Sequence, residues 1–188
     1  MRHDPDRRRA DLLVAAVDEF SAHGYAGARI ERISATAGVN RERLYSYFGS
    51  KRALFETVLA DRLATALDAI AVTGHGPDAA RDFAADYFDA CQSASELPRL
   101  VAWEGLELQQ PIEIEERQAR ARRKVDELCA ALPELQREQV EELLLTVVTL
   151  CHGWVSTPNL GVIIGGDAPS SDQRRRAIAA TASAMARP

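Results

Sequence analysis

The chain has 188 residues, 46% of them hydrophobic and 27% charged, with a formal net charge of −5. That balance excludes wholesale disorder, and no apolar run approaches the ~20 residues of a membrane span. Cys91, Cys129 and Cys151 lie far apart without a CxxC pair, and His3, His23, His75 and His152 form no HxxxH pair, so neither a disulfide framework nor a metal site is expected.

Helical periodicity runs along the whole chain and strand signals are nearly absent. Leu13, Ala16, Val17 and Phe20 share one face of a first helix, opened at Asp4-Pro5 and closed at Gly24. Ile30, Ile33 and Ala37 mark a short second helix that stops at Gly38. Asn40 caps a third over 40–48, with Val39 and Leu44 placed for a hydrophobic staple. Ser50 then caps a fourth, 51–71, with Leu54, Phe55, Val58, Leu59, Leu63 and Leu67 inward. Residues 73–77 form a Gly-Pro loop, and Asp78 opens a fifth helix carrying Phe83, Tyr87, Phe88 and Cys91. After a break at 93–98, a sixth holds Leu100, Trp103, Leu106 and Glu107 and stops before Pro111.

The seventh, 112–132, is heavily charged, with Glu113–Arg117 and Glu116–Arg120 spaced as i,i+4 pairs in the favourable order. Pro133 ends it. The eighth, 134–155, places Val140, Leu144, Val147, Val148, Cys151, Trp154 and Val155 on one stripe. Residues 158–169 form a Gly-containing connector, and Ser170 with Gln173 boxes the start of a last helix, 171–186, bearing Ala177, Ile178, Thr181, Ala184 and Met185. The expectation is an all-α chain of about nine helices: a three-helix head, residues 1–50, on a C-terminal helical bundle, 51–188. The fourth helix leaves no flexible linker between them.

Charge singles out the head. Residues 1–60 carry ten basic and eight acidic side chains, residues 61–188 thirteen and twenty, and a basic end on an acidic body marks a candidate nucleic-acid-binding part. Within it, a short helix, the Ala37-Gly38-Val39 turn and a second short helix make a helix-turn-helix. Leu44 and Phe48, four apart, point inward. Glu42, Arg43 and Ser46 lie opposite, Tyr45 and Tyr47 flank them, and Asn40 and Arg41 occupy the first turn. Such an element suits the major groove of double-stranded DNA, where its outer face meets base edges and tyrosines reach phosphates. Lys51 starts the next helix, where its ammonium joins free backbone N–H groups that attract phosphate. Arg7-Arg8-Arg9 is either an arm for an adjacent groove or a charged helix start.

Phe20-x-x-x-Gly24-Tyr25, Ile30-x-x-Ile33, Ala37-Gly38-Val39-Asn40 and Leu44-Tyr45-x-Tyr47-Phe48-x-x-Lys51-x-x-Leu54 together resemble the DNA-binding domain of TetR-type regulators, over residues 8–58. The resemblance implies a homodimeric repressor that releases its operator when a small molecule enters the C-terminal part, and a cytoplasmic location is the default expectation for a chain with no apolar span or signal segment. It places Tyr45, Tyr47 and Lys51 on phosphates, and Arg41, Arg43 and Ser46 in the groove. Three residues depart from the pattern. Ala28-Arg29 replaces a usual Thr/Ser pair and removes a hydroxyl cap, with Arg29 able to supply charge to a phosphate instead. Glu42 stands where Gly is common and would repel the backbone of DNA. Tyr47 replaces a His, one polar aromatic donor for another.

In the body, Tyr87, Phe88, Cys91, Trp103, Glu104, Glu107 and His152 are candidate effector-pocket residues, with plain core packing as the alternative for each. Glu104 and Glu107 beside Trp103 suggest a neutral or cationic effector. Val140, Leu144 and Val148 on the eighth helix and Ile178, Thr181 and Met185 on the last are candidate dimer contacts. Gly161 to Asp167 lacks both GxGxxG and a GKS/T ending, and no GxSxG or paired-carboxylate spacing occurs, so neither a cofactor nor catalysis is expected. The competing function is a helical interaction module whose DNA-binding head has decayed, supported by Glu42 and Ala28.

Overall fold

The computed structural model describes residues 5–166 and 170–187; Asp4, and Asp167 to Pro169 at the end of the expected connector, lie outside the described residues. Ten helices and no strand occur among the described residues. They are α1 (Pro5–Gly27), α2 (Ile30–Thr36), α3 (Arg41–Phe48), α4 (Lys51–Ala66), α5 (Gly76–Ser93), α6 (Glu96–Glu107), α7 (Ile114–Ala131), α8 (Arg137–Ser156), α9 (Asn159–Gly165) and α10 (Ser171–Met185). The all-α expectation holds, with one helix more than expected.

The chain divides into two compact units, residues 1–63 with 99–113, and 64–98 with 114–188. The boundary expected at residue 50 is therefore displaced. The division falls inside α4, and most of α6 joins the N-terminal unit.

In the N-terminal unit, Leu12, Phe20, Ile33, Leu44, Leu54 and Phe55 are fully buried. Phe20 and Phe55 meet edge to face with ring centroids 5.0 Å apart. Burying each such ring contributes about 1.5–3 kcal/mol, which makes the Phe20–Phe55 contact the anchor between α1 and α4. Gly24, expected to end the first helix, instead kinks it: its φ of 69° and ψ of 179° interrupt the helix, which resumes through Gly27.

In the C-terminal unit, α5, α7, α8 and α10 surround one core that includes Phe83, Phe88, Leu128, Leu143, Val147, Cys151 and Ile178. Small residues on α5 and α10, among them Ala79, Ala80, Ala84 and Ala182, are buried and allow close helix approach. Arg175 on α10 clamps Asp89 on α5 through Nε at 2.9 Å. The fourth helix stops at Ala66 rather than residue 71, and the chain beyond it is tied to α7. The Lys124 ammonium, 1% exposed, donates to Ile70 O at 2.6 Å and to Glu127 at 2.5 Å.

The connector after α8 contains α9. Thr157 N closes α8 on Gly153 O, Pro158 starts the next turn with its fixed φ, and Gly166 at φ 77° ends it. Among the described residues, no single helix is long and apolar enough to cross a membrane.

Candidate nucleic-acid interface

The reading helix is built locally. Val39 N donates to Ser34 O at 2.9 Å and Ala37 N to Ile33 O at 3.0 Å, closing the end of α2. Gly38 takes the left-handed φ of 63° that this reversal needs. Asn40 then caps α3, its Oδ1 accepting from Arg43 N at 2.9 Å. Leu44 and Phe48 turn into the core, as expected from their spacing. That leaves Arg41, Glu42, Arg43, Tyr45 and Ser46 exposed on the opposite face, with Tyr47 half-buried beside them.

These side chains are held by weak contacts that a phosphate can displace. Arg41 pairs with Glu31 at 2.9 Å with both side chains 57% exposed, a pair worth about 0–1 kcal/mol. The Arg43 guanidinium lies 6.0 Å from the Tyr47 ring centroid. Arg9 folds its guanidinium over the Phe48 ring, 5.4 Å from the centroid, and Arg7 to Arg9 all belong to α1. The basic triplet thus belongs to the first turns of α1.

Lys51, the first residue of α4, is more firmly placed. Its Nζ donates to Ala26 O at 3.3 Å and sits 5.0 Å from the Tyr25 ring centroid, while Ser50 Oγ accepts from Ala53 N at 3.0 Å. The ammonium therefore joins the last turn of α1 to the start of α4, and its two remaining protons stay available for an anion.

The missing cap of α2 is supplied from α1. Arg29 makes no side-chain cap, but its N–H donates to Glu19 Oε1 at 2.8 Å. The same carboxylate takes Arg32 Nε at 2.8 and 2.9 Å and also Arg32 Nη2. Burial pushes the Glu19 carboxyl up, and the Arg32 and Arg29 hydrogen bonds outweigh it and leave its pKa below the ordinary value. Arg29 itself is exposed, with its guanidinium free to meet a phosphate. Sequence reasoning missed Glu19. Its only signal was a carboxylate beside Phe20 on a helix that otherwise buries apolar residues.

The family model "Bacterial regulatory proteins, tetR family" matches residues 12–58, and "Tetracyclin repressor-like, C-terminal domain" matches residues 80–184. The HTH-type transcriptional repressor SCO4008 of Streptomyces coelicolor is 33% identical, over 93% of each chain. The HTH-type transcriptional repressor NicS of Pseudomonas putida is 52% identical over 54 residues, 29% of this chain and 26% of that one. Among solved structures, the transcriptional regulator SCO4942 from Streptomyces coelicolor superposes with a TM-score of 0.77 at 28% identity, covering 94% and 97% of the two chains. The chain belongs to the TetR family. It is accordingly a helix-turn-helix DNA-binding transcriptional regulator and not an enzyme.

The C-terminal unit of this TetR-family chain brings together only some of the expected effector residues. Tyr87 Oη and His152 Nε2 lie 2.9 Å apart, their rings stacked at 6.0 Å and 11°. Burial lowers the His152 pKa to about 4, with Arg117 adding to the effect, so the imidazole is neutral at pH 7. Burial pushes Cys91 up to about 12 and raises Tyr87 as well. Phe88 is packed in the core.

Trp103, Glu104 and Glu107 fall in the other unit and face the head. Trp103 Nε1 donates to Ser21 O at 3.2 Å. Glu107 Oε2 accepts from Ala26 N at 3.0 Å, and the buried Glu104 accepts from Ile112 N at 2.7 Å. Both carboxylates accept from backbone N–H groups of the N-terminal unit. Of the expected dimer contacts, Val140, Leu144 and Ile178 are taken up by the unit's own core, because α8 packs on α5, α7 and α10, and α10 packs on α5 and α8. Thr181 is exposed, and Val148 and Met185 are half-buried.

Proposed function

We propose that the chain is a cytoplasmic homodimeric repressor that holds a near-palindromic operator and releases it when a small molecule enters the C-terminal unit. The observation that carries the reading is α3: its inner face is fully spent on the core, and the outer face offers Arg41, Arg43, Tyr45 and Ser46 to solvent. A surface helix with two inward anchors and a polar, cationic outer face is what major-groove docking requires. One reading helix per subunit, duplicated by a two-fold axis, calls for two half-sites on one face of the DNA.

The dimer contact is drawn from exposed apolar surface. Leu145 on α8 is 59% exposed, and Leu160, Val162, Ile163 and Ile164 on α9 range from 48% to 82%. Ala177, Ala180, Thr181 and Ala184 line the exposed side of α10, small enough for close helix approach. The alternative of a decayed head loses one of its two supports, because Glu19 replaces the cap absent at Ala28-Arg29. Glu42 remains exposed on the reading face and acts as a local electrostatic brake on DNA contact.

A gel shift with the full-length protein and DNA flanking its own gene tests the reading. A discrete complex with two-fold footprint symmetry is expected. Binding no tighter than to random DNA of equal length would refute it.

A further inference from the structure

Charge on the outer faces of α8 and α10 is sorted by end. On α8 the exposed stripe runs Glu138, Glu141, Glu142, Leu145 and Thr149, so acids fill the first turns and the later turns are uncharged. On α10 the exposed stripe runs Arg176, Ala177, Ala180, Thr181 and Ala184, led by a cation and followed by small side chains.

Within one chain these two charged ends lie far apart. Ser171 Oγ accepts from Gln92 Nε2 at 3.4 Å, and Arg175 further along α10 holds Asp89 further back on α5 at 2.9 Å, so the two helices run antiparallel. Tyr87 on α5 meets His152 on α8 at 2.9 Å, and the Arg174 guanidinium lies 5.7 Å from the Trp154 ring centroid. The start of α10 therefore stands beside the last turns of α8. The acidic first turns of α8 lie ~18 Å or more away along that helix. Arg175 is spent on Asp89, and Glu141 on Arg137 at 3.2 Å. The side chains of Glu142 and Arg176 have no ion-pair or hydrogen-bond partner among the described residues.

We propose that a second copy of this chain seats on this face with α8 and α10 antiparallel to their own equivalents, Glu142 of each subunit pairing with Arg176 of the partner subunit. The proposal rests on the homodimer reading above and adds the direction and register of the contact. A two-fold axis perpendicular to the helices reverses α8 of one copy against α8 of the other. The acidic start of each α8 then stands level with the basic start of the other copy's α10. Counted from the Trp154–Arg174 contact, Leu145 and Ala180 come level to within about one helical turn, and Glu142 and Arg176 precede them by ~5–6 Å. An axis through Leu145 and Ala180 thus sets the two charges at matching heights, with small alanines between them for close helix approach. An axis along the helices would keep their directions and stack Glu138, Glu141 and Glu142 on their own copies, like charge on like, which the electrostatics disfavours.

The test uses two full-length chains with reversed charge, Arg176→Glu and Glu142→Arg. Each alone places like charges together twice per dimer and should dimerise about tenfold more weakly than the parent by analytical ultracentrifugation. Their heterodimer restores both pairs, so the co-expressed chains should appear as about nine-tenths heterodimer by native mass spectrometry, where random pairing gives about half. One chain carrying both reversals should regain the parent's dimer affinity. Because the rescue uses the same substitutions, a folding defect from either one would not be reversed by it. Random mixing of the two chains, or no recovery in the doubly reversed chain, would overturn the pairing and leave the homodimer reading standing. A parent chain that stays monomeric at micromolar concentration would refute the homodimer reading itself, leave this face to a different partner, and overturn the pairing with it.

Discussion

Replacing Gly24 with alanine probes how firmly α6 is seated on the head. Gly24 has φ 69° and ψ 179°, a backbone state essentially restricted to glycine, and forcing alanine into it costs about 1–3 kcal/mol. The added Cβ would also stand 2.8 Å from Trp103 Cδ2 and Cε3 and from Glu107 Oε1. Overpacking of that kind costs a further ~1–3 kcal/mol. It pushes on two ties at once, Trp103 Nε1 to Ser21 O and Glu107 Oε2 to Ala26 N. The expected total is about 2–6 kcal/mol against a typical domain stability of 5–15 kcal/mol.

Each unit holds one tryptophan, Trp103 in the N-terminal unit and Trp154 in the C-terminal one. Urea denaturation followed by fluorescence in a Trp154→Phe background therefore reports the head alone. Far-ultraviolet circular dichroism, which does not need the indole, is used for the variants lacking Trp103. In a double-mutant cycle with Trp103→Leu, the steric share should disappear and the backbone share should remain, a coupling of about 1–3 kcal/mol. A Gly24→Ala cost below about 1 kcal/mol, or strictly additive effects, would refute the close contact.

Further outcomes follow from the same geometry. Glu19→Ala should destabilise the head by about 2 kcal/mol, through the lost α2 cap and the lost hydrogen bonds to the half-exposed Arg32. Because the Glu19 pKa is depressed on folding, its contribution is complete above about pH 4.5 and is lost as pH falls below that; Glu19→Gln should flatten the acid limb of a stability–pH curve. Arg43→Ala should cost about 1–3 kcal/mol on the operator if the fork pairs with a guanine, and little on random DNA, by fluorescence anisotropy. Lys51→Ala should lower the salt dependence of binding by about one ion, and should weaken the head by about 1 kcal/mol because Nζ also donates to Ala26 O. Glu42→Gly should strengthen non-specific binding; loss of operator binding in a folded variant would mean that Glu42 reads a base. Ile163→Glu with Ile164→Glu should yield a monomer by light scattering, and an unchanged dimer mass would exclude α9 from the contact.

The sequence by itself determined the parts whose forces are local. Leu44 and Phe48 at i,i+4, Gly38 at the left-handed position of the turn between α2 and α3 and Asn40 at the cap all act within about one helical turn, and together they specify a two-helix reading element with a known outer face. Helix class followed from the same short-range periodicity, as did nine of the ten helices among the described residues, α9 being the exception. Tertiary structure decided whatever depends on partners far away in the chain. Arg29 and Arg32 find Glu19 ten and thirteen residues upstream, and Trp103 reaches Ser21 across eighty-two, distances at which periodicity carries no information. An amphipathic stripe states that a face is buried without saying against what, so Val140 and Ile178 read as subunit contacts, whereas both lie in the unit's own core. The same holds for α7, where the buried Lys124 finds the Ile70 carbonyl fifty-four residues upstream.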